Sequence, residues 1–91
     1  MMYNIVFTES YIRRAKKFFK RHPEVLPQYE KTLKLLELNP THPLLRLHKL
    51  KGRLSELFSV SINITYRITI IILIEDKKIV PVDIGKHDEV Y

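Results

Sequence analysis

The sequence contains no cysteine, and only two of its 91 residues are glycine. The lack of cysteine excludes a disulfide scaffold and thiol catalysis. The longest apolar run, from Ile70 to Ile74, is far too short to span a bilayer. Residues 1–11 lack the basic start and the small-residue cleavage site of a signal peptide. With 45% hydrophobic residues, the chain is expected to form a single folded domain over residues 1–91 in the cytoplasm.

Positive charge dominates the chain and is unevenly placed. The formal net charge is +6. Residues 1–54 hold 12 Lys and Arg against 4 Asp and Glu, whereas residues 55–91 hold 4 against 6. This asymmetry suggests a polyanionic partner or an acidic protein partner. A solvated, soluble surface gives the same composition, so charge alone leaves both interpretations open.

Hydrophobic periodicity predicts a strand, two helices and three further strands. Thr8 or Ser10 is expected to cap the first helix, and Pro23 to end it or force a turn. Segment 39–55 is interpreted as a long loop that can include a short strand, and 75–78 as a hairpin turn. The predicted elements are a strand at 3–7, helices at 11–22 and 25–38, and strands at 58–65, 66–74 and 79–84.

The order β-α-α-β-β-β is typical of an α+β domain. We predict a helical hairpin packed on one face of a mainly antiparallel sheet of three or four strands. Alternation along 58–65 gives the other face polar residues, including Ser59, Ser61 and Arg67 from the next strand. Pro81 is expected at an edge or at a position free of ladder bonding. The predicted core contains Ile12, Phe18, Tyr29, Leu33, Leu36, Phe58, Val60, Ile62, Ile70, Ile72 and Val82.

Three segments of the second half occur in a characteristic order. They are LHKLKGRLSELFSVSI at 47–62, YRITIIILIEDKKI at 66–79 and DIGKHDEVY at 83–91. Their combined pattern is H-x-L-x-G at 48–52, a Tyr-Arg pair at the head of a strand, and a terminal G-K-H-x-E-V-Y. Together they resemble the RelE/ParE superfamily of type II toxins, and most closely its YafQ-like and RelE-like mRNA interferases.

The resemblance implies a fold like that of microbial ribonucleases and an endoribonuclease that cleaves mRNA, usually on the ribosome. It also implies a cognate antitoxin that wraps the toxin with an acidic or apolar segment, and operator DNA bound only through that complex. No cofactor and no membrane partner are expected. The four histidines, without cysteine or a paired carboxylate spacing, give no metal signature.

The resemblance assigns catalytic roles to four residues. His87 and His48 match YafQ-like active-site histidines, and imidazole can donate or accept a proton near neutral pH. Arg67 matches the arginine that RelE-like toxins use against the scissile phosphate, and Tyr91 matches a terminal tyrosine that stacks on a base or orients the phosphate. The competing interpretations are a terminal surface histidine, a loop histidine, an Arg67–Asp83 ion pair and a hydrophobic plug at the edge of the core.

Six further residues are predicted to contact the substrate. Four are basic and clustered around the predicted site, as clamps for backbone phosphates. The other two are serines at positions where many relatives carry lysines, or aspartate and histidine, and a hydroxyl stabilises charge and shuttles protons less well. The basic run 13–21 is expected to dock ribosomal RNA or the antitoxin. The six residues are Lys49, Lys51, Arg53, Lys86, Ser59 and Ser61.

Two other functions remain open on the sequence. A ParE-like toxin inhibits DNA gyrase by binding, and this mode would explain uncharged residues at 59 and 61 but gives no use to His48 and His87. A catalytically weakened member would act only through its antitoxin and operator DNA.

Overall fold

The structure, a computed structural model, describes residues 2–50 and 57–86. Within these ranges five strands form one sheet in the order β1-β5-β4-β3-β2. Every pairing is antiparallel except that of β1 with β5. Short 3-10 turns precede α2 and β2. The elements are β1 (Asn4–Ile5), α1 (Glu9–Arg21), α2 (Leu26–Leu38), β2 (His48–Lys49), β3 (Leu57–Ser61), β4 (Tyr66–Leu73) and β5 (Lys78–Lys86).

The predicted α+β fold, with a helical hairpin on a mainly antiparallel sheet, is confirmed. The described part of the chain has five strands rather than three or four. The strand predicted at 3–7 is β1, and the short strand allowed within the segment 39–55 is β2; each has 2 residues, and β2 brings the number of strands to five. A strand as short as β2 gives almost no periodic signal in a sequence, because alternation needs several residues to be seen.

Helix α1 begins at a side-chain cap and ends where proline follows. Thr8, rather than Ser10, is the cap, since its Oγ1 accepts a hydrogen bond from the Tyr11 amide at 3.2 Å. Lys20 and Arg21 lie in the last turn, where positive charge is favourable against the helix dipole. The chain then turns through Pro23–Val25 into α2.

The core lies between the two helices and one face of the sheet. Val60, Ile68 and Ile70 on the central strands are 0% exposed, and Leu36 from α2 is equally buried. Tyr11 from α1 joins the same cluster. Its hydroxyl lies 2.9 Å from that of Tyr29 on α2, so each buried hydroxyl has a hydrogen-bond partner.

Most of the predicted core residues are confirmed, and two predictions are wrong. Ile12 is 38% exposed, because its neighbour Tyr11 fills the position beneath α1. Val82 is only half-buried and lies outside the core cluster. Those found buried are Tyr29, Leu36, Val60, Ile62 and Ile70, and those found partly buried against them are Phe18, Leu33, Phe58 and Ile72.

A β-bulge explains the position of Val82. Thr69 pairs with Asp83, while the next residue of β4 pairs with Pro81, so Val82 is an extra residue in β5. An extra residue shifts the alternation of the strand by one. Pro81 is consequently buried at the bulge, beyond the two residues at which β1 pairs with β5.

The predicted strand 58–65 is too long at its C-terminal end. β3 ends at Ser61, because the Asn63 side chain closes a turn by accepting hydrogen bonds from the amides of Thr65 at 2.9 Å and Tyr66 at 2.8 Å. Asparagine side chains commonly stabilise turns in this way. Ile64, which alternation placed on the apolar face, is therefore 90% exposed.

Both helices are short. α1 and α2 have 13 residues each. In the ranges that the structure describes, no helix combines the length and the apolar character needed to cross a membrane.

Candidate functional site

The sheet face opposite the core carries the polar residues predicted from alternation. Along one row of paired residues, His48 lies opposite Ser59, and Ser59 opposite Thr69. The adjacent row pairs Ser61 with Arg67 and Arg67 with Gly85. Residues paired across strands share a face, so these side chains belong to one surface, which we call the polar face.

Arg67 is held at the centre of the polar face by hydrogen bonds. Its Nε donates to Ser59 Oγ, and its Nη2 donates to the main-chain carbonyls of Arg46 at 3.0 Å and Ser59 at 3.3 Å. Arg46 ends the Pro43–Leu45 turn with a left-handed φ of 49°. Several hydrogen bonds to a planar guanidinium fix its orientation, which suits recognition of a phosphate.

The structure brings His48 and Ser59 together with Arg67. His48 is exposed on the edge strand β2 and pairs with Ser59, which is 4% exposed and bonded to Arg67. We call this group of His48, Ser59 and Arg67 the corner of the polar face. It holds an imidazole beside a fixed guanidinium. The resemblance assigned roles to His48 and Arg67 through two separate motifs, and those roles stay predictions.

Two other residues predicted to contact the substrate, Lys49 and Ser61, are less well placed to do so. Lys49 pairs with Phe58, and it therefore lies on the sheet face opposite that of His48. Ser61 lies on the polar face, but its hydroxyl donates to the Asn63 carbonyl at 2.7 Å. Thr69 was not predicted, although its position between two inward-facing isoleucines is the same signal that identified Ser59.

The end of β5 lies beside Arg67. Gly85 pairs with Arg67 and Lys86 pairs with Tyr66, so the described part of the chain ends next to the polar face. Gly85 is buried, and a glycine leaves room for the arginine across the strand. The predicted roles of four residues, Lys51, Arg53, His87 and Tyr91, fall outside the described residues and stay predictions.

The sequence offers Asp83 as an ion-pair partner of Arg67. In the structure the Asp83 carboxylate lies 3.9 Å from the guanidinium of Arg14 on α1, and Arg14 also donates to the Val82 carbonyl at 3.2 Å. The pair is well exposed, so it contributes little to stability. Its effect is to tie α1 to β5 at the bulge.

No group of three histidine, cysteine, aspartate or glutamate side chains that could hold a metal ion occurs within residues 2–50 and 57–86.

A second concave surface, not predicted from the sequence, lies between α1 and the end of β5. We call it the α1–β5 pocket, and its volume is about 310 Å³. Basic and aromatic side chains line it. They are Arg14, Lys17, Phe18, Arg21, His22, Tyr66 and Lys86, together with Ile84 and Gly85.

No protein-family model and no curated protein matches this sequence. Solved structures do match, over nearly the whole chain. The DinJ–YafQ toxin–antitoxin complex of E. coli matches with a TM-score of 0.78 at 17% identity, covering 100% of this chain and 99% of that chain. The RelBE2 toxin–antitoxin complex of Mycobacterium tuberculosis matches with a TM-score of 0.72 at 21% identity, covering 96% and 100%.

The YoeB–YefM toxin–antitoxin complex of Staphylococcus aureus matches with a TM-score of 0.72 at 22% identity, covering 96% of this chain and 99% of that chain. The chain has the fold of the RelE/ParE toxins. The resemblance that the motifs predicted is thereby confirmed at the level of the fold. Type II toxins of the RelE, YafQ and YoeB kinds are thus its structural neighbours.

Proposed function

We propose that this protein is the toxin of a type II toxin–antitoxin pair and a metal-independent endoribonuclease that cleaves mRNA on the ribosome. The observation that carries the proposal is the corner of the polar face where Arg67, bonded to Ser59, lies beside His48. A sheet of this fold supplies a rigid base for such a group, and fixed donors stabilise charge that develops in a transition state.

The chemistry requires one base, one acid and a phosphate clamp. In the proposed reaction His48 takes the proton from the RNA 2′-hydroxyl, whose oxygen attacks the neighbouring phosphorus. The bond from phosphorus to the 5′-oxygen breaks, and His87 gives that oxygen its proton. Arg67 stabilises the charge on the pentacovalent phosphate, and Tyr91 stacks on a base or orients the phosphate. The products are a 2′,3′-cyclic phosphate and a 5′-hydroxyl.

Basic residues near the corner are proposed to hold the RNA backbone. Lys49 on the edge strand and Lys86 at the end of β5 lie on the sheet face opposite that of Arg67, so they would hold RNA that passes around the edge or the end of the sheet. Lys51 and Arg53 complete the cluster in sequence. Ser59 orients Arg67 through its hydroxyl, and with this uncharged group it can offer the phosphate only a hydrogen bond. Ser61 is likewise proposed to contact the substrate through a hydrogen bond from its hydroxyl.

A cognate antitoxin is proposed as the partner that blocks the toxin. A groove between α1 and α2 is lined mainly by apolar side chains, among them Phe7, Ile12 and Leu26, all exposed. Lys16 lies at this groove. An amphipathic antitoxin segment with acidic residues at its margin fits such a surface. Operator DNA would be bound through this complex, and the protein would act in the cytoplasm, where ribosomes translate.

A cleavage assay tests the proposed function. Purified protein is incubated with translating ribosomes and a defined mRNA, and the 5′-ends of the fragments are mapped by primer extension. We expect new ends within codons at the ribosomal A site, and their disappearance when the cognate antitoxin is added first. Expression of the protein without its antitoxin provides a check of toxicity in cells. If expression arrests growth but the purified protein leaves the mRNA intact on ribosomes, the proposal is contradicted.

One observation favours a second candidate, a ParE-like inhibitor of DNA gyrase. Neither Ser59 nor Ser61 carries a charge, and their hydroxyls are engaged by Arg67 and by the Asn63 carbonyl. Inhibition by binding needs no proton transfer at these positions. Gyrase supercoiling assays with the same protein separate the two candidates, because an mRNA-cleaving toxin leaves supercoiling unchanged.

A further inference from the structure

The α1–β5 pocket gathers positive charge from two elements. Arg14, Lys17 and Arg21 are spaced three and four residues apart on α1, so they lie along one side of the helix. Lys86 faces them from the last position of β5. Four cationic side chains thus converge on one cavity of about 310 Å³. Such convergence is the local arrangement expected of an anion site.

Acidic side chains do not neutralise all of this charge. Among the described residues, Arg14 has a carboxylate neighbour in Asp83 at 3.9 Å, and His22 has one in Glu24 at 3.8 Å. Lys17 and Arg21 form no ion pair with any carboxylate of the described ranges. Their charge is therefore available to an anion in the pocket.

Aromatic rings form the wall between these cations. The ring of Phe18 lies 5.1 Å from that of Tyr66 and 4.9 Å from that of His22, and the Tyr66 and His22 rings are 5.0 Å apart. The Tyr66 hydroxyl also lies 3.3 Å from His22 Nδ1. Each ring is thereby restrained by the other two. Fixed aromatic surfaces beside cations are the features that bind single-stranded nucleic acid.

The pocket and the polar face meet at the same strand ends. Tyr66 lines the pocket and Arg67 lies on the polar face, although they are consecutive in β4. In β5, Lys86 lines the pocket, while Gly85 both lines the pocket and pairs with Arg67. Consecutive Cα atoms are about 3.8 Å apart, and successive side chains of a strand point to opposite faces. A flexible polymer that passes over these strand ends can contact both surfaces.

We propose that the α1–β5 pocket is a second RNA site, which holds one nucleotide of a single-stranded RNA away from the corner of the polar face. The cations bind its phosphate, and its base packs against the rings of Phe18 and Tyr66. The identity of the polymer as RNA rests on the proposed function. An acidic peptide would satisfy the cations but leave the aromatic wall unused, whereas a nucleotide uses both. The cavity also lies within the usual range of small-ligand sites, about 300–1,000 Å³.

A binding measurement with a charge-matched control tests the charge half of this proposal. The probe is a fluorescein-labelled oligonucleotide of 2′-O-methyl RNA, which lacks the attacking hydroxyl and is not cleaved. Anisotropy is recorded over a salt series for the wild type, for Lys17→Gln/Arg21→Gln, and for Lys16→Gln/Lys20→Gln. Both double variants remove two positive charges from exposed positions of the same helix. Only the first removes them from the pocket.

We expect Lys17→Gln/Arg21→Gln to weaken binding at least about tenfold and to reduce the log–log salt slope by about 1.4, since each phosphate contact on a single strand contributes about 0.7. The control should lose less than about threefold. Equal losses in the two variants would overturn the proposal, because they would mean that RNA responds to net charge alone. Binding of a poly-glutamate peptide at the pocket, without binding of the oligonucleotide, would overturn it as well.

Two further variants test whether a base stacks on the rings of Phe18 and Tyr66. Phe18→Leu removes a ring, and we expect it to weaken binding about 5- to 160-fold with an unchanged salt slope, because stacking contributes about 1–3 kcal/mol per base. Tyr66→Phe keeps the ring and should bind as the wild type does. Circular dichroism melting confirms that each variant is folded. Unchanged binding by folded Phe18→Leu would overturn the stacking.

A failure of the second RNA site can be distinguished from a failure of the proposed function. If the pocket variants lose binding but the wild type cleaves no mRNA on ribosomes, the pocket remains and the proposed function fails. If the wild type cleaves mRNA while Lys17→Gln/Arg21→Gln binds the probe as the wild type does, the second RNA site alone fails.

Discussion

Arg67 on β4 and Ser59 on β3 form a diagonal pair across the polar face, in which the arginine Nε donates to the serine Oγ. The same guanidinium reaches the carbonyl oxygens of Ser59 and Arg46 through Nη2. Ser59 is buried, so this side of the fork is shielded from water. The serine that stands where relatives carry a charged residue thus has a definite task, which is to orient the arginine.

Replacement of Arg67 by lysine should abolish most of the proposed activity. Arg67→Lys keeps the charge but loses the planar fork, and the loss of one preorganised donor to a transition-state oxyanion costs about 100- to 1,000-fold in rate. We expect mRNA cleavage on ribosomes to fall by at least about 100-fold with the melting temperature little changed. Arg46→Lys is the control, because Arg46 contributes only its carbonyl to this contact. Cleavage by Arg67→Lys at the wild-type rate would remove Arg67 from the mechanism.

The polar face could be predicted because it depends on alternation alone. Ser59, Ser61 and Arg67 alternate with core-facing residues such as Val60 and Ile68, and the register keeps the three polar residues on one surface. The bulge at Val82 could not be predicted in the same way, because a shift of one residue in β5 is decided by its pairing with β4. The α1–β5 pocket was missed since its residues lie far apart in sequence and come together only through packing.

The choice between Tyr11 and Ile12 was also beyond the sequence. Adjacent positions of a helix are about 100° apart, so either Tyr11 or Ile12 can lie within an apolar stripe of about that width. In the structure Tyr11 lies beneath α1, where its hydroxyl is 2.9 Å from that of Tyr29. A stability measurement checks this assignment through a matched pair of truncations. Leu36→Ala, at a fully buried site, should lower the free energy of unfolding by about 2–5 kcal/mol. Ile12→Ala should change it by about 0.5 kcal/mol or less. Similar costs for the two variants in urea titrations would refute the assignment.

The Tyr11–Tyr29 pair predicts sensitivity to alkaline pH. Burial, reinforced by the neighbouring Tyr29, raises the pKa of Tyr11 far above its ordinary value of 10.0, and burial also raises the pKa of Tyr29. Below pH 10 both hydroxyls are protonated in the folded and unfolded states. Above it, the unfolded chain loses protons that the folded protein keeps, so the free energy of unfolding should fall with rising pH, by up to about 1.4 kcal/mol per pH unit for each tyrosine.

Urea titrations between about pH 9 and 11.5 measure this slope. Tyr11→Phe removes one of the two titrating groups, so its stability should fall less steeply with pH, whatever its stability at neutral pH. An identical slope for the variant and the wild type would mean that the buried pair does not govern the alkaline transition.

Binding of the antitoxin should depend on salt and on the basic margin of the α1–α2 groove. An acidic segment loses attraction as salt screens exposed charges, so we expect the dissociation constant to rise at least about tenfold from about 50 to 500 mM salt. Lys16→Gln, at the groove, should flatten this dependence, whereas Lys17→Gln, on the side of the α1–β5 pocket, should not. Isothermal titration calorimetry over a salt series gives the comparison. An affinity indifferent to salt would indicate a mainly apolar interface.

If proton transfer by His87 drives the proposed RNA cleavage, the rate of mRNA cleavage by His87→Ala is the decisive measurement. Removal of a general acid costs about 100- to 10,000-fold. We predict that His87→Ala folds and binds the antitoxin as the wild type does, yet cleaves ribosome-bound mRNA at least about 100-fold more slowly. The wild-type fragments should end in a 2′,3′-cyclic or 3′-phosphate. Cleavage by His87→Ala at the wild-type rate, or wild-type fragments that end in 3′-hydroxyls, would contradict the account.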